Sequence, residues 1–258
     1  MSNKDAGLLK IGNIVAYFLT LIVNGLAGGT ALIGGKLTAD ISDANPTLIT
    51  PAGYVFSIWG VIYILLGAFV VYQALPSQKG KDYHSKIGWL FVLSCAANIC
   101  WIFLWQFQYI TFSVVLMLVL LASLIMIYLR LDIGVSAPPR NERLAIQLPF
   151  SVYLGWITVA TIANISAAFV SVGQTQLLLG GTIWAVLVLV VATFITGVML
   201  WTRRDLAYAA VLVWALVGIY DKHADIVAVA YMSLICVGII ILDAVLVTVI
   251  KRPLKDMH

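Results

Sequence analysis

The sequence predicts an all-α fold, a polytopic membrane bundle of eight helices, and three observations lead there. The first concerns solvent: 62% of the 258 residues are hydrophobic and only 10% are charged, against about 25% charged in a typical soluble domain. The second is the length of the charge-free runs, and the third is how the basic residues sort between them. No water-soluble core hides this much apolar surface, so the chain belongs in a bilayer.

The runs set the helices in order. Ile11–Gly35 carries no charge over 25 residues, which suits one span of roughly 20 apolar residues. It exceeds the apolar core of a signal peptide, about 7–15 residues. Gly53–Leu75 gives a second span. Ile87–Leu129 is 43 residues without a charge, about 64 Å as one helix at about 1.5 Å per residue. That is twice a hydrocarbon core, so the chain must turn back, and the polar patch Gln106-Phe107-Gln108-Tyr109 is the expected place. Leu144–Thr202 breaks in the same way at Ser171-Val172-Gly173-Gln174-Thr175-Gln176. Leu206–Tyr220 is short for a span, and Ile226–Ile250 completes the eight.

The charges test that count. With eight spans, one side holds Lys4, Lys10, Lys79, Lys81, Lys86, Arg130, Arg140, Arg143, Arg203, Arg204, Lys251, Arg252 and Lys255. That is thirteen of the fifteen basic residues, with Lys36 and Lys222 opposite. The positive-inside rule then places both termini in the cytoplasm, with a bacterial cytoplasmic membrane as the expected location. The net charge of +4 reflects orientation and gives no reason to expect nucleic acid. Cys95, Cys100 and Cys236 lie within predicted helices, with no CxxC and no clustered His, so neither a disulfide nor a metal is expected.

Thr50-Pro51 reads as a helix start, a capping hydroxyl followed by Pro at the first helical position, and Gly53 reads as a point of close backbone approach. Beyond it Trp59, Tyr63 and Gly67 recur at i, i+4 and i+8, one stripe forming an aromatic wall with a notch. The run Pro51, Tyr54-Val55-Phe56, Trp59, Tyr63, Gly67 resembles the second-helix pattern of the TspO/translocator-protein family, the tryptophan-rich sensory proteins. One residue is missing between Tyr54 and Trp59, and Tyr54 stands where the family has Trp. Two further motifs fall in order: Asn98-Ile99-Cys100-Trp101 is similar to the family's third-helix Asn-x-x-Trp. Tyr153, Trp156, Ala160 and Asn164 match its fifth-helix spacing, with Val152 in place of the family's Pro.

The resemblance covers about residues 10–172. It implies a five-helix domain at 1–172, followed by a three-helix extension at 173–258. The loop at 36–46, which covers the ligand pocket in the family, departs from the family pattern. The resemblance also implies a ligand of the porphyrin or tetrapyrrole class, with Trp59, Asn98, Trp156 and Ala160 among the pocket positions. Read physically, flat rings with a few amides suit a planar, largely apolar ligand that needs orienting. The expected ligand-binding set is Pro51, Tyr54, Trp59, Tyr63, Asn98, Trp101, Tyr153, Trp156 and Ala160. Asn98 and Asn164 read equally well as interhelical hydrogen-bond partners. Trp89, Trp184 and Trp201, near span ends, read as interface anchors.

Gly25-Leu26-Ala27-Gly28-Gly29 has GxxxG spacing and could seat another helix, including that of a second copy. Asp243 is the one acid inside a predicted span, and intramembrane carboxylates are gating or proton-linked candidates by default. A sensor or receptor that binds a flat hydrophobic ligand is therefore the leading expectation. Transport of such a ligand is the second, and light-dependent porphyrin breakdown, implied by the resemblance, is the third. No nucleophile–base pair or phosphate loop suggests an enzyme, and no span contains the Lys a retinal Schiff base needs.

Overall fold

The computed structural model describes residues 3–174 and 181–250. Thr175 and Gln176 of the expected break, and basic residues 251, 252 and 255, lie outside that set, as does the side chain of Lys4. The described residues form an all-helical bundle without strands. The elements are α1 (Asn3–Gly29), α2 (Thr38–Ala44), α3 (Ile58–Ala74), α4 (Tyr83–Ile87), α5 (Leu90–Gln106), α6 (Ile110–Arg130), α7 (Arg140–Glu142), α8 (Leu148–Ser171), α9 (Gly181–Arg203), α10 (Leu206–Lys222) and α11 (Val227–Val249).

Eight of these are the long helices the charge-free runs mark out. Six segments are long and apolar enough to cross a membrane, while α5 and α10 have 17 residues each. Large apolar side chains face outward along them: Ile64, Val71, Phe112 and Phe194 are all well exposed. In water that would be costly; in lipid it is the expected exterior.

The turn at 106–109 falls where the length of the run required it. α5 stops at Gln106, Gln108 takes a positive φ of 63°, and α6 starts at Ile110. Gln106 also closes the adjacent loop, its amide donating to the carbonyls of Ala27 and Lys36. α8 is entered through a π-turn at Arg143–Gln147, with Pro149 in its first turn.

Two local expectations fail. Thr50-Pro51 does not start the helix: a 3-10 turn at Gly53–Ser57 comes first and α3 begins at Ile58. The Thr50 hydroxyl is instead paired with that of Thr47 at 2.7 Å. Nor is Gly53 the point of close approach, since nothing lies within 4 Å of where its Cβ would be. The close approach is made at Gly218 on α10, where a Cβ would collide with Val55 and crowd Pro51.

α1 packs on α3 and α5, α5 on α6, α6 on α8, and α8 on α3. α10 then packs against α8, with α9 and α11 on its flanks. Interior amides and hydroxyls tie the helices across their contacts. Asn13 donates to Gln73 between α1 and α3 at 2.9 Å, and Trp184 donates to Ser166 between α9 and α8 at 3.0 Å. In a medium that offers no water, each such pair spares two polar groups an unmet desolvation cost. Apart from Asp243 within α11, the described charges end up at the two ends of the bundle. At one end Lys81 pairs with Glu142 and Arg204 reaches the Ile250 carbonyl; at the other, Lys222 pairs with Asp43.

Candidate functional site

Three helices bring the aromatic motifs to one place. From α3, Trp59 stacks on Tyr63 with ring centroids 5.6 Å apart and planes 19° from parallel. From α8, Trp156 stands edge-on to Trp59 at 6.1 Å and to Phe56 at 5.9 Å. From α5, Trp101 stacks on Trp105 at 5.5 Å. The i, i+4 spacing puts each pair on one face of its helix, and these faces meet.

Between them lies a cleft in two chambers. The first, of about 50 Å3, is lined by Pro51, Trp59, Trp101, Trp156 and Ala160, with Trp105 and Asn164 beside them. The second, of about 280 Å3, runs toward α1 past Tyr63, Asn24, Gly25 and Gly28. Thr38, Phe56, Trp59 and Trp101 border both chambers and form the partition. Joined, the two reach the lower end of the size range of small-molecule sites, roughly 300 Å3.

The polar groups of the cleft divide into satisfied and unsatisfied. Trp101 donates to the Asn164 carbonyl oxygen at 2.8 Å, and the Asn164 amide donates to Ser113 at 2.9 Å. Trp105 donates to the Thr38 carbonyl at 3.2 Å. By contrast the Trp156 indole N–H, the Tyr63 hydroxyl and the Thr38 hydroxyl are buried without a partner among the described residues. Buried donors in native structures are nearly all paired, and each exception calls for an explanation.

Other expected residues lie elsewhere. Asn98 is fully buried beside the cleft and accepts from Asn24 at 2.6 Å, an α1–α5 tie. Tyr153 stands behind the wall, edge-on to Trp59 at 6.0 Å. Tyr54 faces away from the cleft and meets Trp214 of α10 edge-on at 5.4 Å. Asp243 borders neither chamber; on α11 it accepts from Trp201 of α9 at 3.1 Å. The notch at Gly67 is filled by the Tyr17 hydroxyl, which donates to the Tyr63 carbonyl at 3.0 Å. Gly25, Gly28 and Gly29 seat no helix among the described residues, none of which lies within 4 Å of a Cβ at any of them.

Several contributors were not among the expected set. Phe56 sits within the quoted motif yet forms the partition. Thr38 and Ser42 come from α2, the short helix over the mouth. Ala163 and Ala167 continue the Trp156–Ala160 face, and their i+3 and i+4 spacing is a signal that was available. The mouth segment itself is held by α10. The Ala52 N–H donates to the Gly218 carbonyl at 2.9 Å, Trp214 donates to the Val55 carbonyl at 3.1 Å, and the His223 ring pairs with the Thr50 carbonyl at 3.1 Å.

Among curated proteins and solved structures, none matches this chain. The profile of one family does, that of the TSPO-like proteins, and the match runs over residues 10–246. It therefore runs from within α1 to within α11, beyond residue 172, where the resemblance read from the sequence ends. A match over so much of the sequence makes this chain, an integral multi-pass membrane protein, a member of the TSPO-like protein family.

Proposed function

We propose that the chain is a receptor-like membrane protein that binds a flat, largely apolar ligand of the tetrapyrrole class in the α3–α5–α8 cleft. The observation that carries this reading is the Trp156 indole N–H, buried, unpaired and part of a wall made of aromatic rings. A ligand that stacks on the rings and offers one acceptor, such as a carboxylate or carbonyl, would satisfy it. A tetrapyrrole is too large for the first chamber alone. It lies across both, which requires the Phe56–Trp59 partition to turn aside.

The test is a dark titration of the detergent-purified protein with protoporphyrin IX, followed by the porphyrin absorption band and by Trp quenching. Saturable binding should vanish in Trp59→Ala/Trp156→Ala. Trp156→Phe keeps a ring and removes the donor, and should weaken binding roughly tenfold, the worth of one buried hydrogen bond. Identical curves for all three proteins would overturn the reading.

Transport is the second reading, favoured by Asp243, a carboxylate inside a span that pairs, among the described residues, with the neutral Trp201. It predicts that Asp243→Asn abolishes porphyrin flux into proteoliposomes while leaving binding intact. Equal flux in the two proteins removes it.

A further inference from the structure

We propose that the chain carries a second site, at the end of the bundle opposite the aromatic mouth, for the phosphate of an anionic amphiphile. A cavity of about 400 Å3 opens there between the α6–α8 connection and the α9–α10 turn, and Arg143, Arg203 and Arg204 all line it. Among the described residues the ion pairs are Lys81–Glu142, Lys86–Asp82 and Lys222–Asp43. None involves these three arginines.

Their donors are largely uncommitted. Arg203 gives one N–H to the Ile133 carbonyl at 3.4 Å and lies over the Tyr128 ring at 5.7 Å. Arg204 gives one to the Ile250 carbonyl at 2.7 Å. The Arg143 guanidinium makes neither a hydrogen bond nor an ion pair among the described residues, its backbone N–H alone donating to the Pro139 carbonyl at 2.9 Å. A guanidinium presents five N–H donors in a planar fork, and among the described residues the carbonyls of Ile133 and Ile250 engage two of the fifteen.

Among the described residues one acid shares the cavity, and it is already taken. Asp205 accepts from Tyr128 at 2.8 Å, from the Ser151 hydroxyl through both its oxygens, and from the Tyr208 backbone N–H at 3.0 Å. It offsets one of the three positive charges and leaves an excess of two. With the Asp205 carboxylate committed to other donors, three guanidiniums lining one cavity supply the planar forks that bind phosphate bidentately.

The rest of the lining says what carries the phosphate. Leu144, 46% exposed, and Leu148 border the same cavity as the arginines. A polar half and an apolar half, at a charged end of the bundle, suit an anionic phospholipid better than a free ion. Basic pockets between spans at a membrane face are recognised in this way.

The experiment uses the full chain in detergent. Short-chain phosphatidylglycerol, phosphatidylcholine of the same chain length and inorganic phosphate are titrated in parallel, with binding read by calorimetry. Arg143→Gln/Arg204→Gln removes two cavity guanidiniums while leaving the Arg203–Tyr128 packing intact. Arg130→Gln/Arg140→Gln removes the same charge from the same end outside the cavity, and Arg143→Gln alone changes an exposed residue that holds nothing together. Saturable phosphatidylglycerol binding should weaken roughly fivefold per cavity arginine, so more than tenfold in the first pair, and by less than twofold in the second. The same pattern with inorganic phosphate, and no gain from the lipid, would keep the site and assign it to a free anion. Absence of saturable binding by either anion, or equal losses in both double variants, would overturn the proposal.

Discussion

The α3–α5–α8 cleft and the α9–α11 helices hold their places by different means. The cleft is built from side chains: Trp59, Trp101, Trp105 and Trp156 meet ring to ring. Where α10 meets the mouth segment, backbone groups do most of the work. The carbonyls of Thr50, Val55 and Gly218 are each engaged across that contact. Ring chemistry leaves a mark in composition and spacing. Backbone docking leaves only a Gly, a lone His and one Trp in an otherwise featureless apolar run.

The comparison can be broken most severely at Asp205. This carboxylate caps α10 and holds Tyr128 of α6 and Ser151 of α8. Asp205→Ala strands three donors at once and should cost about 3 kcal/mol or more, seen as a large drop in unfolding temperature in detergent. A drop no greater than that of a surface substitution would show that α10 is held by packing alone.

Gly218→Val comes next. Its side chain would enter the space Val55 occupies, and overpacking of this kind costs about 1–3 kcal/mol. The expected result is a modest loss of stability together with weaker protoporphyrin binding, because the mouth segment is pushed off α10. Unchanged binding would separate the mouth from the cleft.

Acidity should act on the same contact more gently. Burial lowers the pKa of His223; the hydrogen bond to Thr50 opposes this, Lys222 adds to it and Asp225 opposes it. The unfolded chain protonates this residue near its ordinary value, about 6.5. The folded chain therefore gains stability from neutral His223 that is complete above about pH 6.5 and is lost as pH falls through the lower folded value. Melting followed from pH 7.5 to 5 should show a steeper acid loss for the wild type than for His223→Gln, and parallel curves would exclude the residue. The smallest effect belongs to Lys222→Ala: its partner Asp43 is largely solvated, so the change should fall below about 1 kcal/mol and shrink further in salt.

These positions also show what could be read from residues alone. Span limits were legible because charges cannot sit in lipid at low cost: α5 and α6 separate at Gln106–Ile110, where the length of the run demanded it. The ring positions were legible because i, i+4 spacing fixes a face. The 3-10 entry at Gly53–Ser57 was not, since Thr50-Pro51 has the local chemistry of a cap and only the pull of α10 overrides it. Asp205 was missed for a related reason. Next to Arg203 and Arg204 it reads as one more loop charge, although an Asp directly before an apolar run is also an N-cap signature. The stripe of glycines in α1 suggested a packed helix partner, yet spacing alone cannot distinguish a seat for a helix from the wall of a cavity.

Val55 and Phe56 are neighbours in the chain but belong to different neighbourhoods. The Phe56 ring is part of the partition between the two chambers, while the Val55 carbonyl is fastened to Trp214 of α10. A single peptide unit separates the two attachments. A ligand that displaced the ring, as proposed for the cleft, would therefore load the α10 anchor. By thermodynamic linkage, a partner that shifted α10 would then alter the affinity of the cleft for that ligand in turn.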